Sequence, residues 1–85
     1  MKRIIETDES EGFDALLGAR VTLFCMNYIY TGKLAGVAED HLLLEEAAIV
    51  YETGAFSDTK WKDAQPLPHA WRVQISAVES WGVIK

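Results

Sequence analysis

The sequence predicts a mainly β fold, in which a short N-terminal helix is followed by a five-stranded, strongly bent antiparallel sheet. The chain has 85 residues, which is enough for one hydrophobic core and therefore for a single domain, residues 1–85. From residue 20 onward, β-branched and aromatic side chains dominate segments of strand length. Glycines interrupt one of these segments, as they do where a sheet bends sharply.

We expect residues 1–10 to be frayed, and the sequence favours a short helix directly after them. Ser10 is of a type that caps helix N-termini. The next apolar side chains recur at helical spacing and would lay one stripe against the sheet; they are Phe13, Leu16 and Leu17. Gly18 is suited to end the helix, because glycine commonly occupies the position just after a helix.

The five predicted strands span residues 20–30, 31–38, 42–53, 70–75 and 78–84. The first is apolar on both faces, so we expect both of its faces to be covered. The second contains Gly32 and Gly36, which indicate a bulge, a bend or a close backbone approach. Residues 54–69 contain both prolines and are predicted to be a long loop between strands three and four.

The composition limits how so small a domain is stabilised and argues against catalysis. A single cysteine, Cys25, excludes an internal disulfide, and with only two histidines we expect no metal site and no cofactor. Oligomerisation remains as the common source of extra stability. Cys25 lies between apolar neighbours and is interpreted as a small buried hydrophobe, so we expect no catalytic residue and no enzyme.

The sequence also predicts a compartment. No apolar run reaches the length of a secretory signal or the roughly 20 residues of a membrane span. With one unpaired cysteine, this favours a reducing, cytoplasmic environment and no membrane partner.

Three segments of the chain resemble the Sm-like family, which includes the LSm and Hfq-type proteins. They are Leu-Gly-Ala-Arg-Val-Thr-Leu at 17–23, Tyr-Thr-Gly-Lys-Leu-Ala-Gly-Val at 30–37 and Arg-Val-Gln-Ile-Ser-Ala-Val at 72–78. The resemblance covers roughly residues 12–83, and the chain looks like a divergent prokaryotic or phage-type member. It departs from the family in lacking the Arg-Gly dipeptide of the second motif. The Asp of the first motif falls on Ala38, and its Asn falls near His41 or Leu42.

The resemblance implies that the bent sheet forms an Sm-like small barrel. It further implies a homo-oligomeric ring of about five to seven subunits, in which the fourth strand of one copy pairs with the fifth of the next. It also implies binding of short single-stranded RNA, in the manner of an RNA chaperone or an RNA-processing accessory protein. The RNA-binding candidates are Arg72, Gln74, His41, Asp40 and Trp61. In the family, the position of Arg72 often contacts RNA at the pore, and the loop of Asp40 and His41 is the base-binding position.

Each candidate has a structural alternative. Asp40 and His41 also suit a polar turn between strands. Arg72 would serve equally well in an ion pair, with Glu45, Glu46 or Glu79 as the partner. Trp61 stands between two lysines, a pattern that stacks a base and holds its phosphate, but a loop tryptophan more often anchors its loop.

The net charge of −5 gives weight to functions other than RNA binding. It opposes tight, non-specific nucleic-acid binding and restricts RNA to a small local site. An Sm-like ring that scaffolds an unidentified protein partner without binding RNA is therefore the main alternative. A monomeric small barrel with a peptide groove is the third hypothesis.

Overall fold

The computed structural model describes residues 12–85, which form one antiparallel sheet of six strands. The strands are β1 (Arg20–Cys25), β2 (Ile29–Val37), β3 (His41–Glu52), β4 (Asp63–Pro66), β5 (Trp71–Gln74) and β6 (Val78–Gly82). A 3-10 helix at Phe13–Leu16 precedes β1, and a second at Ile75–Ala77 joins β5 to β6. The prediction of a mainly β, antiparallel fold is confirmed.

The sheet is open among the described residues, so the small barrel that the resemblance implies is not formed. β1 pairs with β2, β2 with β3, and β6 lies on the other edge of β1. The outer edge of β3 is divided, because β5 pairs with its first half and β4 with its second half. β6 pairs with neither of these short strands, which leaves the sheet unclosed.

The sheet buries side chains on both of its faces. The main core contains residues from four strands: Val21, Leu23, Leu34, Leu42, Leu44, Ala47 and Val73. On the opposite face, Thr22 and Thr31 are also fully buried, at 0% and 1% exposure. Phe56, from the segment after β3, packs edge-on against Phe24 with ring centroids 6.4 Å apart. Both faces of β1 are therefore covered, as its apolar pattern predicted.

β3 bends where two of its residues face one glycine of β2. Thr31 pairs with Ala48 and Lys33 with Glu45, so Glu46 and Ala47 form a bulge opposite Gly32. Glu46 has a φ of 49°, in the left-handed region. A Cβ on Gly32 would lie 3.1 Å from the Cα of Ala47, so only glycine fits without displacing backbone. The predicted bend or close approach at this glycine is confirmed.

The expected N-terminal helix is not supported. Ser10 lies outside the described residues, and the chain after it forms only the four-residue 3-10 helix. Its hydrogen bonds run from Ala15 N to Gly12 O and from Leu17 N to Asp14 O, and Gly12 provides no side-chain cap. The turn ends as predicted at Gly18, whose φ of 87° suits glycine.

The strands differ from the prediction in their number and in the division of the first predicted strand. The structure has six strands where five were expected, because the predicted loop 54–69 contains β4, which forms by pairing with Ala48–Glu52 of β3. The predicted first strand, 20–30, is divided by a turn, since Cys25 N donates to Tyr28 O at 3.0 Å and β2 begins at Ile29. Met26 and Tyr28 therefore belong to an exposed turn and not to a strand face.

Candidate functional site

A surface cleft of about 660 Å³ lies where the start of β3 meets the end of β5. Four of the five sequence-predicted site residues line it: Asp40, His41, Arg72 and Gln74. The remaining lining residues are Glu39, Ile75 and Ser76. Residues from two segments more than thirty positions apart thus share one site.

Strand pairing fixes the two sides of this cleft. His41 pairs with Gln74 and Leu43 with Arg72 across the antiparallel β3–β5 ladder. The pair between them, Leu42 and Val73, is buried in the core, so the alternating neighbours point the other way. The core thereby holds the polar residues on the opposite side of the ladder.

Backbone hydrogen bonds hold the turn that carries Asp40 and His41. Ile75 N donates to Asp40 O at 2.9 Å, which ties the turn before β3 to the 3-10 helix after β5. Ala38 N donates to His41 O, also at 2.9 Å, which closes the turn itself. The positions of Asp40 and His41 are therefore fixed by main-chain contacts and do not depend on a ligand.

Asp40 and His41 form a contact that orients both side chains and lowers the pKa of Asp40. Nδ1 of His41 lies 2.7 Å from Oδ1 of Asp40. This hydrogen bond is the main reason that the pKa of Asp40 is lowered from its ordinary value. With Nδ1–H donating to the carboxylate, Nε2 of a neutral His41 is left as an acceptor for a ligand. Because the folded-state pKa of Asp40 is lowered, the stability from this contact is present above the ordinary pKa and is lost as pH falls through the folded-state value.

Arg72 is exposed and makes none of the ion pairs found in residues 12–85. Of the three acidic partners considered from the sequence, Glu46 lies 4.0 Å from Arg20 instead. Arg72 also lines a neighbouring cleft of about 190 Å³, together with Gly36, Val37, Ala38, His41 and Leu43. Its guanidinium donors are therefore available to a ligand from either cleft.

Trp61 lies outside this site. Its ring is half-buried, with Nζ of Lys85 4.5 Å from the ring centroid, and it lines a different cleft. The same lysine donates to main-chain oxygens of the segment around Trp61, so Lys85 anchors that segment and packs over the Trp61 ring. Sequence reasoning missed Lys85, because an isolated lysine after two apolar residues carries no local signal of such a role.

The chemistry of the main cleft suits a small polar ligand with hydrogen-bonding edges. Carboxylates of Glu39 and Asp40 accept hydrogen bonds, while Arg72 and the amide of Gln74 donate them. Such mixed groups match the edge of an unpaired base, whose exocyclic amines donate and whose carbonyls accept. No group of three or more potential metal ligands occurs within residues 12–85.

Cys25 does not have the environment of a reactive thiol. Burial, and secondarily the charge of Glu79, raise its pKa from the ordinary value. A thiol of raised pKa is protonated at neutral pH and is a poor nucleophile.

No family model, curated protein or solved structure matches this chain. The resemblance to Sm-like proteins thus stays a prediction from the sequence. Within the described part of the chain, no helix combines the length and the apolar character needed to cross a membrane.

Proposed function

We propose that this chain is an Sm-like subunit that assembles with copies of itself into a ring and binds short single-stranded RNA. One observation carries the proposal: Asp40, His41, Arg72 and Gln74, which come from two distant segments, line a single cleft. A guanidinium free to meet a phosphate or a base, beside acceptors for exocyclic amines, is the donor and acceptor set that unpaired bases need.

The connectivity of the last strands supports assembly. β5 and β6 are joined by only three residues, yet they pair with opposite partners, β3 and β1. Each keeps an outer edge without a partner among the described strands, and pairing β5 of one copy with β6 of the next would satisfy both edges. Trp71 on β5 and Trp81 on β6 are 38% and 45% exposed, and such a contact would bury them.

A protein scaffold that binds no RNA is the second candidate. It is favoured by the net charge of −5 and by exposed apolar side chains outside β5 and β6, which are Leu17, Met26, Tyr28, Tyr51, Phe56 and Val83. In this alternative the ring is the same, and these side chains take part in the contact with a protein partner.

Replacing Arg72 by alanine separates the two candidates. We expect Arg72→Ala to weaken binding of a fluorescein-labelled hexauridylate by about tenfold and to reduce the slope of log K against log salt by about one. Lys33→Ala is the matched control, because Lys33 is an exposed cation that lines none of these clefts. Fluorescence anisotropy at several salt concentrations measures both quantities. Equal binding by the parent and Arg72→Ala would refute the role of this cleft.

A further inference from the structure

Most of the positive charge in the described part of the chain is concentrated in one place away from the site above. Residues 12–85 contain six lysines and arginines, and four of them line a single cleft of about 350 Å³; these four are Arg20, Lys60, Lys62 and Lys85. Among the described residues, Asp63 is the one acidic residue that lines it. In a chain with a net charge of −5, this local excess creates a positive potential that the overall charge does not predict.

Lys85 forms a fixed positive part of this cleft. Its Nζ donates to the carbonyl oxygens of Thr53, Ala55 and Lys60 at 3.0, 2.8 and 3.0 Å. An ammonium group has three N–H donors, so these contacts use all of them. Lys85 therefore contributes charge to the cleft and keeps the loop around it in place, while other residues supply the donors.

The other three cations supply those donors. Lys60 makes no ion pair among the described residues, and its side chain is exposed. Arg20 and Lys62 face Glu46 and Glu52 at 4.0 and 3.4 Å, in contacts that are largely open to solvent. Exposed ion pairs contribute about 0–1 kcal/mol, so a multiply charged anion can compete with the carboxylates for both cations.

We infer that this cleft binds the phosphate groups of a nucleotide, either free or within an RNA strand. Its volume lies at the lower end of the range for small-molecule sites and suits a diphosphate or a single nucleotide. The inference goes beyond the proposed function, because the two clefts share no lining residue. Either site can therefore be absent without the other.

Titration with pyrophosphate at constant ionic strength tests the inference. We expect saturable shifts of the Trp61 indole N–H and the Lys60 and Ala64 amides in 15N correlation spectra. Lys60→Gln should weaken this binding by about three- to tenfold, because it removes a charged donor. Lys33→Gln is the matched control, because Lys33 is the cross-strand partner of Arg20 but does not itself line the cleft. It removes the same charge and should change the affinity less than about twofold.

Two outcomes would overturn the assignment. One is the absence of saturable shifts at Trp61, and the other is an equal loss of affinity in Lys60→Gln and Lys33→Gln, which would indicate non-specific attraction.

Uridine triphosphate and hexauridylate, titrated in the same way, distinguish the two sources of phosphate. Shifts at Trp61 with either ligand support the site, and the tighter binder identifies its source. Loss of RNA binding in Arg72→Ala alone would leave this inference standing.

Discussion

Thr22 and Thr31 face each other across β1 and β2 and differ in one hydrogen bond. Both are buried, at 0% and 1% exposure. Thr31 Oγ1 donates to Val21 O at 3.0 Å, whereas Thr22 Oγ1 has no partner among the described residues. A buried hydroxyl without a partner costs free energy that an apolar group of the same shape does not. The pair is therefore an internal comparison of a satisfied and an unsatisfied hydroxyl.

We expect Thr22→Val to raise the free energy of unfolding by about 1 kcal/mol, because valine keeps the shape and removes the unsatisfied hydroxyl. Thr31→Val should lower it by about 1 kcal/mol, because it removes a made hydrogen bond. Urea unfolding at one fixed protein concentration measures both, since assembly would make stability depend on concentration. Destabilisation of similar size in both variants would show that Thr22 has a partner in the folded protein.

The shape of the sheet depends on the bend in β3. Glu46 holds a φ of 49°, and Gly32 of β2 lies directly against the bulge. The bend also divides β3 into the half that pairs with β5 and the half that pairs with β4. The first half carries His41, and its pairing with β5 forms the main cleft.

Gly32→Ala should lower the free energy of unfolding by about 1–3 kcal/mol, because its Cβ would meet the Ala47 Cα and Glu45 O at 3.1 Å. Gly36→Ala, in the same strand, is the matched control. Its nearest contact would be Leu43 Cβ at 3.4 Å, and we expect a change smaller than about 1 kcal/mol. Urea denaturation compares the two variants. Equal effects would mean that the close approach at Gly32 does not constrain the bend.

The segment between β3 and β4 is held at its base by Lys85. Three of its carbonyl oxygens accept from Nζ, and Lys62 N donates weakly back to Thr53 O at 3.4 Å. The segment also places Phe56 against Phe24. The side chain of Lys85 thus makes three of the contacts that hold a loop covering part of the sheet.

Lys85→Met should increase amide hydrogen exchange at Asp58 and Lys62 by about tenfold or more, while amides of β1 and β2 keep their protection. The reason is that methionine retains much of the apolar stem and removes three charge-assisted hydrogen bonds. Lys60→Met is the control, since Lys60 contributes only its main-chain oxygen to this contact. Unchanged exchange at Asp58 in Lys85→Met would contradict the role of Lys85.

At the scale of the whole molecule, the sequence predicted the parts of the fold that local pattern specifies. The antiparallel β class, the doubly covered first strand and the close approach at Gly32 are all confirmed. The sequence did not reveal β4, because its four residues, with Pro66 among them, have little strand propensity and pair only through contact with β3. The turn after Cys25 was not predicted, because Met26 and Tyr28 are of residue types that are common in strands.

The site was predictable to the extent that it lies near strand ends. Asp40 and His41 were marked by a polar turn, and Arg72 and Gln74 by outward positions in an alternating strand. Sequence alone could not show that the two segments meet, because that follows from the β3–β5 pairing. It also could not separate Trp61 from them, since Lys85, which covers its ring, is 24 positions away.

Size-exclusion chromatography with light scattering, recording the 260/280 nm absorbance ratio after adding hexauridylate, tests for a ring that binds RNA. We expect one peak of about five to seven chains of 9.5 kDa, carrying nucleic acid. The same mass with a pure protein spectrum would contradict RNA binding and favour the scaffold. A peak at the mass of one chain, with or without RNA, would contradict the ring itself.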